Sequence, residues 1–190
     1  DSLFATPPGT ITVQNSLGQL NSKLVVLNQS GGNCKNCGGL LLRGRLLTTG
    51  PAAAIGTYEV EFDALQAQSN MKEAVFVLRD SVGRDLARVT FAVRNNQNLI
   101  LYNDYKNHPG TFLGNWVQYV PRHFRIQLDL DAHNSTIWFD NGTSAAVSGA
   151  PYVNTNANNF YTISADFTGI DSGTMGWDEI KVTRLSDLSN

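Results

Sequence analysis

The sequence predicts an all-β fold, an antiparallel β-sandwich or barrel, and three observations predict it. Tyr58, Val60, Phe62 and Ala64 alternate with Glu59, Glu61 and Asp63. Phe124, Ile126, Leu128 and Leu130 alternate with His123, Arg125, Gln127 and Asp129. Side chains along a strand point to opposite faces with a period of two, so each stretch has one core face and one wet face. Between such stretches lie turn residues, Asn141-Gly142 the strongest of them, and many short strands joined by turns describe a sandwich or barrel.

The elements follow in order. Asp1 to Pro8 reads as an N-terminal arm, because Pro7-Pro8 bars both helix and inner strand. Gly9 to Val13 and Lys23 to Leu27 are the first strands, with Asn15 to Asn21 turning between them. Gly31 to Gly39 is a glycine-rich loop around Cys34 and Cys37, and Leu40 to Leu47 resumes a strand. Thr48 to Ala54 breaks the pattern. Further strands are predicted at Gly56 to Ala64, Glu73 to Asp80, Asp85 to Arg94 and Asn98 to Tyr102. A long loop from Asn103 to Arg122 carries Tyr105, His108, Trp116 and Tyr119. Strands return at His123 to Leu130, Ser135 to Asp140, Phe160 to Asp166 and Gly176 to Leu185. No repeat divides the chain, and residues 1–190 suit a single domain of this class.

Composition narrows the function classes. A hydrophobic share of 42% with 16% charged residues fits a folded globular chain. A net charge of -2 without a Lys/Arg cluster argues against nucleic acid as a partner. No apolar run approaches the ~20 residues of a membrane helix, so no membrane insertion is expected. The chain opens at Asp1 without an initiator Met; either a leader has been removed or the chain was trimmed. Scarce lysine, abundant asparagine and two closely spaced cysteines lean toward an exported protein, whether secreted, cell-surface or periplasmic. Asn28-Gln29-Ser30, Asn134-Ser135-Thr136 and Asn141-Gly142-Thr143 are glycosylation sequons.

Three stretches carry a family resemblance: Phe124 to Leu130, Thr136-Ile137-Trp138-Phe139-Asp140-Asn141-Gly142, and Trp177-Asp178-Glu179-Ile180-Lys181-Val182. Their order resembles the concanavalin A-like, laminin-G-like jelly-roll superfamily. There, too, a short strand ends in Asp/Asn-Gly and a final strand opens with an aromatic residue and Asp. The resemblance covers about Gly56 to Leu185. It implies a jelly roll and, among similar domains, carbohydrate-binding modules, adhesion modules, glycosidases and polysaccharide lyases. The fold alone does not choose among them.

Candidate sites divide by chemistry. Exposed aromatics favour sugar binding, since sugar rings stack on them while polar side chains bond the hydroxyls. Trp138 has the opposite parity to Ile137 and Phe139, so it should leave the core. Arg125 and Gln127 are expected on the same sheet face, with Trp116 and Tyr119 bordering it from the long loop. The alternative is a Trp138 covered by a loop as part of a minor core. Asp178 shares the parity of Ile180 and Val182 and would therefore face inward. An inward carboxylate needs partners, and a structural calcium, as similar jelly rolls carry, is one; a bulge or amide capping is another.

Glu59, Glu61 and Asp63 line one face of a strand, at a spacing that a glycosidase acid/base pair could use. Jelly-roll glucanases place Glu-x-Asp-x-Glu there. Here the order is Glu-x-Glu-x-Asp, so a solvated face paired with Lys and Arg on neighbouring strands is the favoured reading. Arg125, Gln127, Tyr119, Tyr105 and His123 supply the residue types of a lyase, without the Arg-Glu-Arg and Gln-x-His motifs of jelly-roll alginate lyases. Cys34 and Cys37 sit among four glycines, with the three histidines scattered at 108, 123 and 133. A disulfide that shapes the loop fits them better than zinc. The expected function is a non-catalytic carbohydrate-binding or adhesion module; the alternative is a polysaccharide-degrading hydrolase or lyase.

Overall fold

A computed structural model describes residues 9–14, 24–29, 39–42, 55–67, 73–105, 108–167 and 173–186. Among them run thirteen strands: β1 (Gly9–Gln14), β2 (Leu24–Gln29), β3 (Gly39–Leu42), β4 (Thr57–Gln66), β5 (Glu73–Arg79), β6 (Asp85–Arg94), β7 (Gln97–Tyr102), β8 (Thr111–Gly114), β9 (Arg122–Asp129), β10 (Asn134–Phe139), β11 (Val147–Pro151), β12 (Thr162–Phe167) and β13 (Gly173–Ser186). No helix among the described residues is long and apolar enough to cross a membrane. The N-terminal arm, Cys34 and Cys37 lie outside the described residues.

The strands form two antiparallel sheets. One has seven strands in the order β1-β2-β13-β4-β9-β10-β11, the other six in the order β3-β12-β5-β6-β7-β8. Late strands therefore insert between early ones, β13 between β2 and β4 and β12 between β3 and β5, which makes the sandwich a jelly roll. The alternation read from sequence is the packing. Tyr58, Val60, Phe62, Phe124, Ile126 and Leu128 are at most 2% exposed, and register pairs Val60 with Ile126 and Phe62 with Phe124. Phe62 stacks on Phe76 of the opposite sheet with ring centroids 3.8 Å apart. Phe91 meets Phe124 edge-on at 5.7 Å. Tyr102 Oη donates to Ser135 Oγ at 2.7 Å, a buried polar tie between the sheets.

Two strands depart from expectation. β8 lies within the stretch read as a long loop; its Thr-Phe-Leu-Gly pairs with β7 and is largely exposed at the edge of its sheet. β11 pairs with β10 across a bulge, and its Gly149 (φ 62°) and terminal Pro151 are poor strand formers tolerated at an edge. Asp104 anchors the turn before β8, accepting from the Gly110 amide at 3.1 Å. A Cβ at Gly110 would come within 2.6 Å of Asp104, so only glycine fits there without displacement.

The outer faces of the sheets differ, and the difference positions the site. On the six-stranded sheet the outward Val75, Val77, Thr90 and Ser164 are at most 1% exposed. On the seven-stranded sheet the outward positions of β4 and β9 are all half-buried, from Glu59 to Asp63 and from His123 to Asp129. A ligand that needs an open sheet face has the second, not the first.

Candidate functional site on the outer face of the seven-stranded sheet

Register assembles this face from four strands. β4 contributes Glu59, Glu61 and Asp63, and β9 contributes His123, Arg125 and Gln127, with Glu59 opposite Gln127, Glu61 opposite Arg125 and Asp63 opposite His123. β10 places Trp138 opposite Arg125 and Thr136 opposite Gln127. β13 places Asp178 opposite Asp63 and Lys181 opposite Glu61. Directly opposed side chains share a face and lie close enough to interact.

The charged groups on this face pair with one another. His123 Nδ1 donates to Asp63 Oδ1 at 2.7 Å, and its Nε2 lies 3.6 Å from Glu61 Oε1. Lys181 Nζ lies 3.7 Å from Glu61 Oε2, and Arg125 Nε lies 3.8 Å from Glu59 Oε2. Arg125 also lays its guanidinium over the Trp138 ring at 4.2 Å. The favoured sequence reading, a solvated face paired with Lys and Arg on neighbouring strands, is the arrangement found for Glu59 and Glu61, whereas the described partner of Asp63 is His123. An open depression of about 430 Å³ is lined by Glu61, His123, Glu179, Ile180 and Lys181.

Trp138 leaves the core as its parity predicts. Ile137 beside it is fully buried and Phe139 packs against the core, whereas Trp138 is half-buried on the outer face. Arg125 and Gln127 join it there. Trp116 does not: it is 2% exposed, belongs to the core, and its indole N–H donates to Ala92 O at 3.1 Å. A loop position has no periodicity to reveal such burial. Tyr119 is exposed but sits at the end of the sheet, where its amide donates to Gln66 O at 2.8 Å. Tyr105 is bridged to His108, and Arg88 of the other sheet lies over its ring. Of the residue types suited to a lyase, the fold therefore gathers His123, Arg125 and Gln127 and leaves the tyrosines apart.

Asp178 corrects the parity argument. β13 carries a bulge between Asp178 and Lys181, where Glu179 adopts φ 50°. The extra residue reverses the alternation. Trp177, opposite Ala64, faces the core, and Asp178, opposite Asp63, faces outward, while Ile180 and Val182 still pack inward. Asp178 remains 7% exposed, and its Oδ1 accepts the Glu179 amide at 2.8 Å. Among the described residues no three His, Cys, Asp or Glu side chains converge as metal ligands. Asp178 thus caps the backbone of the bulge.

Sequence reasoning did not single out the Asp63–His123 contact or Glu179 on the rim. Only the register of β4 against β9 and the bulge in β13 bring them to the site.

Groups with shifted titration mark structural ties elsewhere. Burial raises the Asp104 carboxyl, but hydrogen bonds from Arg94 and the Gly110 amide, with the charges of Arg94 and Arg88, outweigh it and hold the group below its ordinary value. Burial pushes the Tyr102 and Tyr152 phenols up; the former bonds Ser135 and the latter donates to Asp129 O at 2.7 Å.

No family model matches the chain, and no curated protein matches it. Solved structures do. A sialidase superposes with a TM-score of 0.68 at 9% identity, over 96% of this chain and 16% of the sialidase, so the chain spans about a sixth of that protein. The alginate lyase from Corynebacterium sp. gives 0.62 at 13% identity, over 96% of this chain and 83% of the lyase. The carbohydrate recognition domain of Emp46p, in its potassium-bound form, gives 0.50 at 13% identity over 89% and 86%. At such identities the likeness is one of fold, and the chain has a concanavalin A-like jelly-roll fold.

Proposed function

We propose that this chain is a non-catalytic carbohydrate-binding module of an exported protein, with its glycan lying across the outer face of the seven-stranded sheet. The observation that carries the reading is Trp138. It stands off the core on the open face, is held by Arg125, and lies in line with side chains that can bond hydroxyls, Gln127 and Thr136 among them. An indole held by a neighbour is a ready stacking surface for a sugar ring, because little side-chain freedom is lost when the ring settles on it. The Emp46p domain, a carbohydrate recognition domain by name, shares the fold. The pairing of Glu59 with Arg125 and of Glu61 with Lys181 also supports binding over hydrolysis, since a glycosidase needs one carboxyl to arrive protonated and the other to act as base or nucleophile. Export is supported by composition, and the proposed Cys34–Cys37 disulfide would accompany it.

A second reading is favoured by one contact. Asp63 orients the His123 imidazole at 2.7 Å, while Arg125 and Gln127 follow at two-residue steps, each about 7 Å further along the strand. In β-elimination on a uronate-bearing polysaccharide a carboxylate-oriented histidine could take the C5 proton and return it to the leaving oxygen, with Arg and Gln neutralising the uronate carboxylate, and an alginate lyase shares the fold. A glycan array run with reducing-sugar and unsaturated-uronate assays separates the readings. Retention without product supports a binding module. Turnover that His123→Ala abolishes establishes the enzyme and refutes the module.

A further inference from the structure

Resting on the binding reading, we infer that the outer face holds an extended glycan chain rather than a single sugar, with a second subsite at the depression beside the β13 bulge. Register sets the direction. Trp138 of β10 lies opposite Arg125 of β9, Arg125 opposite Glu61 of β4, and Glu61 opposite Lys181 of β13. These four residues form one row across the strands, with the indole at one end and the depression at the other. A second row runs beside it, Thr136, Gln127, Glu59 and Thr183, and every member carries a hydrogen-bonding side chain. Three inter-strand spacings separate the ends of the first row, about 14 Å. An equatorially linked pyranose advances its chain by about one such spacing, so a chain that reaches from Trp138 to the depression has about four residues.

The bulge equips the far end. Glu179 adopts φ 50°, a left-handed conformation uncommon for a residue with a side chain, and Asp178 Oδ1 accepts its amide at 2.8 Å. Strained residues of this kind cluster at ligand sites, and bulges re-aim side chains toward them. Here the bulge brings Glu179 to the rim beside Glu61, His123 and Lys181, around an open volume of about 430 Å³. Carboxylates accept hydrogen bonds from sugar hydroxyls and an ammonium donates to them, so both kinds of partner are present. Glu61 is approached by His123 at 3.6 Å and by Lys181 at 3.7 Å, both longer than a hydrogen bond, so it keeps acceptor capacity for a hydroxyl. One end of the row stacks a sugar and the other bonds hydroxyls. A monosaccharide reaches only one of them.

Calorimetric titration with cello-, manno-, xylo- and mannuronate oligosaccharides of one to six residues tests this. In a series that binds, affinity is expected to rise at least ~10-fold from disaccharide to tetrasaccharide and then to level off. A monosaccharide that binds as tightly as its tetrasaccharide overturns the inference and leaves the binding reading standing. Affinity that keeps climbing through the hexasaccharide also overturns it, because the ends of the site then lie beyond Trp138 and the depression. Binding in none of the four series overturns the binding reading and this inference with it.

Glu179 locates the second subsite. Glycine and asparagine both accept a left-handed backbone, so Glu179→Gly and Glu179→Asn should keep the bulge and melt with the parent. Each should lower tetrasaccharide affinity at least ~5-fold, the loss of about one hydrogen bond, and lower disaccharide affinity by less. A variant that melts with the parent and binds the tetrasaccharide as tightly overturns the inference.

Discussion

Replacing Trp138 by alanine should leave the fold and remove the function, and replacing Trp116 should do the reverse. Trp138 lies outside the core, half-buried, and its principal described contact is the Arg125 guanidinium at 4.2 Å. A cation–π contact at such a site contributes about 0.5–1 kcal/mol and a cross-strand pair about 0.2–1. Trp138→Ala should therefore cost about 1–2 kcal/mol. Trp116 is 2% exposed within the core and donates to Ala92 O. Its truncation opens a cavity at about 3–5 kcal/mol and also removes that hydrogen bond. In a chain of this size 1 kcal/mol moves the melting temperature by about 2–4 °C. Trp138→Ala should thus melt only a few degrees lower, and Trp116→Ala about 10 °C lower or more. Scanning calorimetry read beside affinity electrophoresis decides the matter. Glycan retention should fall at least ~10-fold in Trp138→Ala, and Trp116→Ala should keep it wherever it folds. A Trp138→Ala protein that loses as much stability as Trp116→Ala would show Trp138 to be core. A folded Trp138→Ala protein with full retention would refute the platform and move attention to Tyr119.

Three other outcomes are expected. Asp104 has a folded pKa below its ordinary value of about 3.9, so the unfolded state binds more protons and the stabilisation is present above that value and lost as pH falls through the folded pKa; Asp104→Asn should be less stable than the parent at pH 7 and converge with it near pH 2 in urea titrations, and a constant difference across that range would refute this. Tyr102→Phe deletes the buried tie to Ser135 while leaving that hydroxyl Ala150 O as an acceptor at 3.4 Å, so it should cost about 0.5–1.5 kcal/mol by urea unfolding; no loss would mean the tie contributes nothing. Chelation followed by calcium addition decides the role of Asp178, whose Oδ1 accepts the Glu179 amide: a structural calcium there should make the melting point fall with chelator and return with calcium, and an unmoved curve would refute the metal.

The parts of the fold legible in sequence are those where one residue's neighbours suffice to place it. Tyr58 to Ala64 and Phe124 to Leu130 alternate cleanly because each strand has a core on one side and water on the other, and Trp138 could be placed outward by the same parity. β8 and β11 were illegible for the opposite reason. Thr111–Gly114 is short and exposed, and Val147–Pro151 contains Gly149 and Pro151, so neither has a buried face to imprint a pattern. Asp178 was misplaced because a bulge is defined by the partner strand, which the β13 sequence does not contain. Trp116 was misread because a loop side chain enters a core without any period. The site shows the same division. Its residue types were visible one strand at a time, whereas the Asp63–His123 and Arg125–Trp138 contacts depend on the register of β4, β9 and β10.

The central claim is that glycan binds the outer face of the seven-stranded sheet, and an NMR titration with the best-retained oligosaccharide tests it most directly. The Trp138 indole N–H, the Gln127 side-chain amide and the Arg125 Nε–H should shift together and saturate with one dissociation constant, while Arg88 and Arg94 on the other sheet stay still. Saturable shifts confined to the six-stranded sheet or its loops, with Trp138 unmoved, would contradict the account.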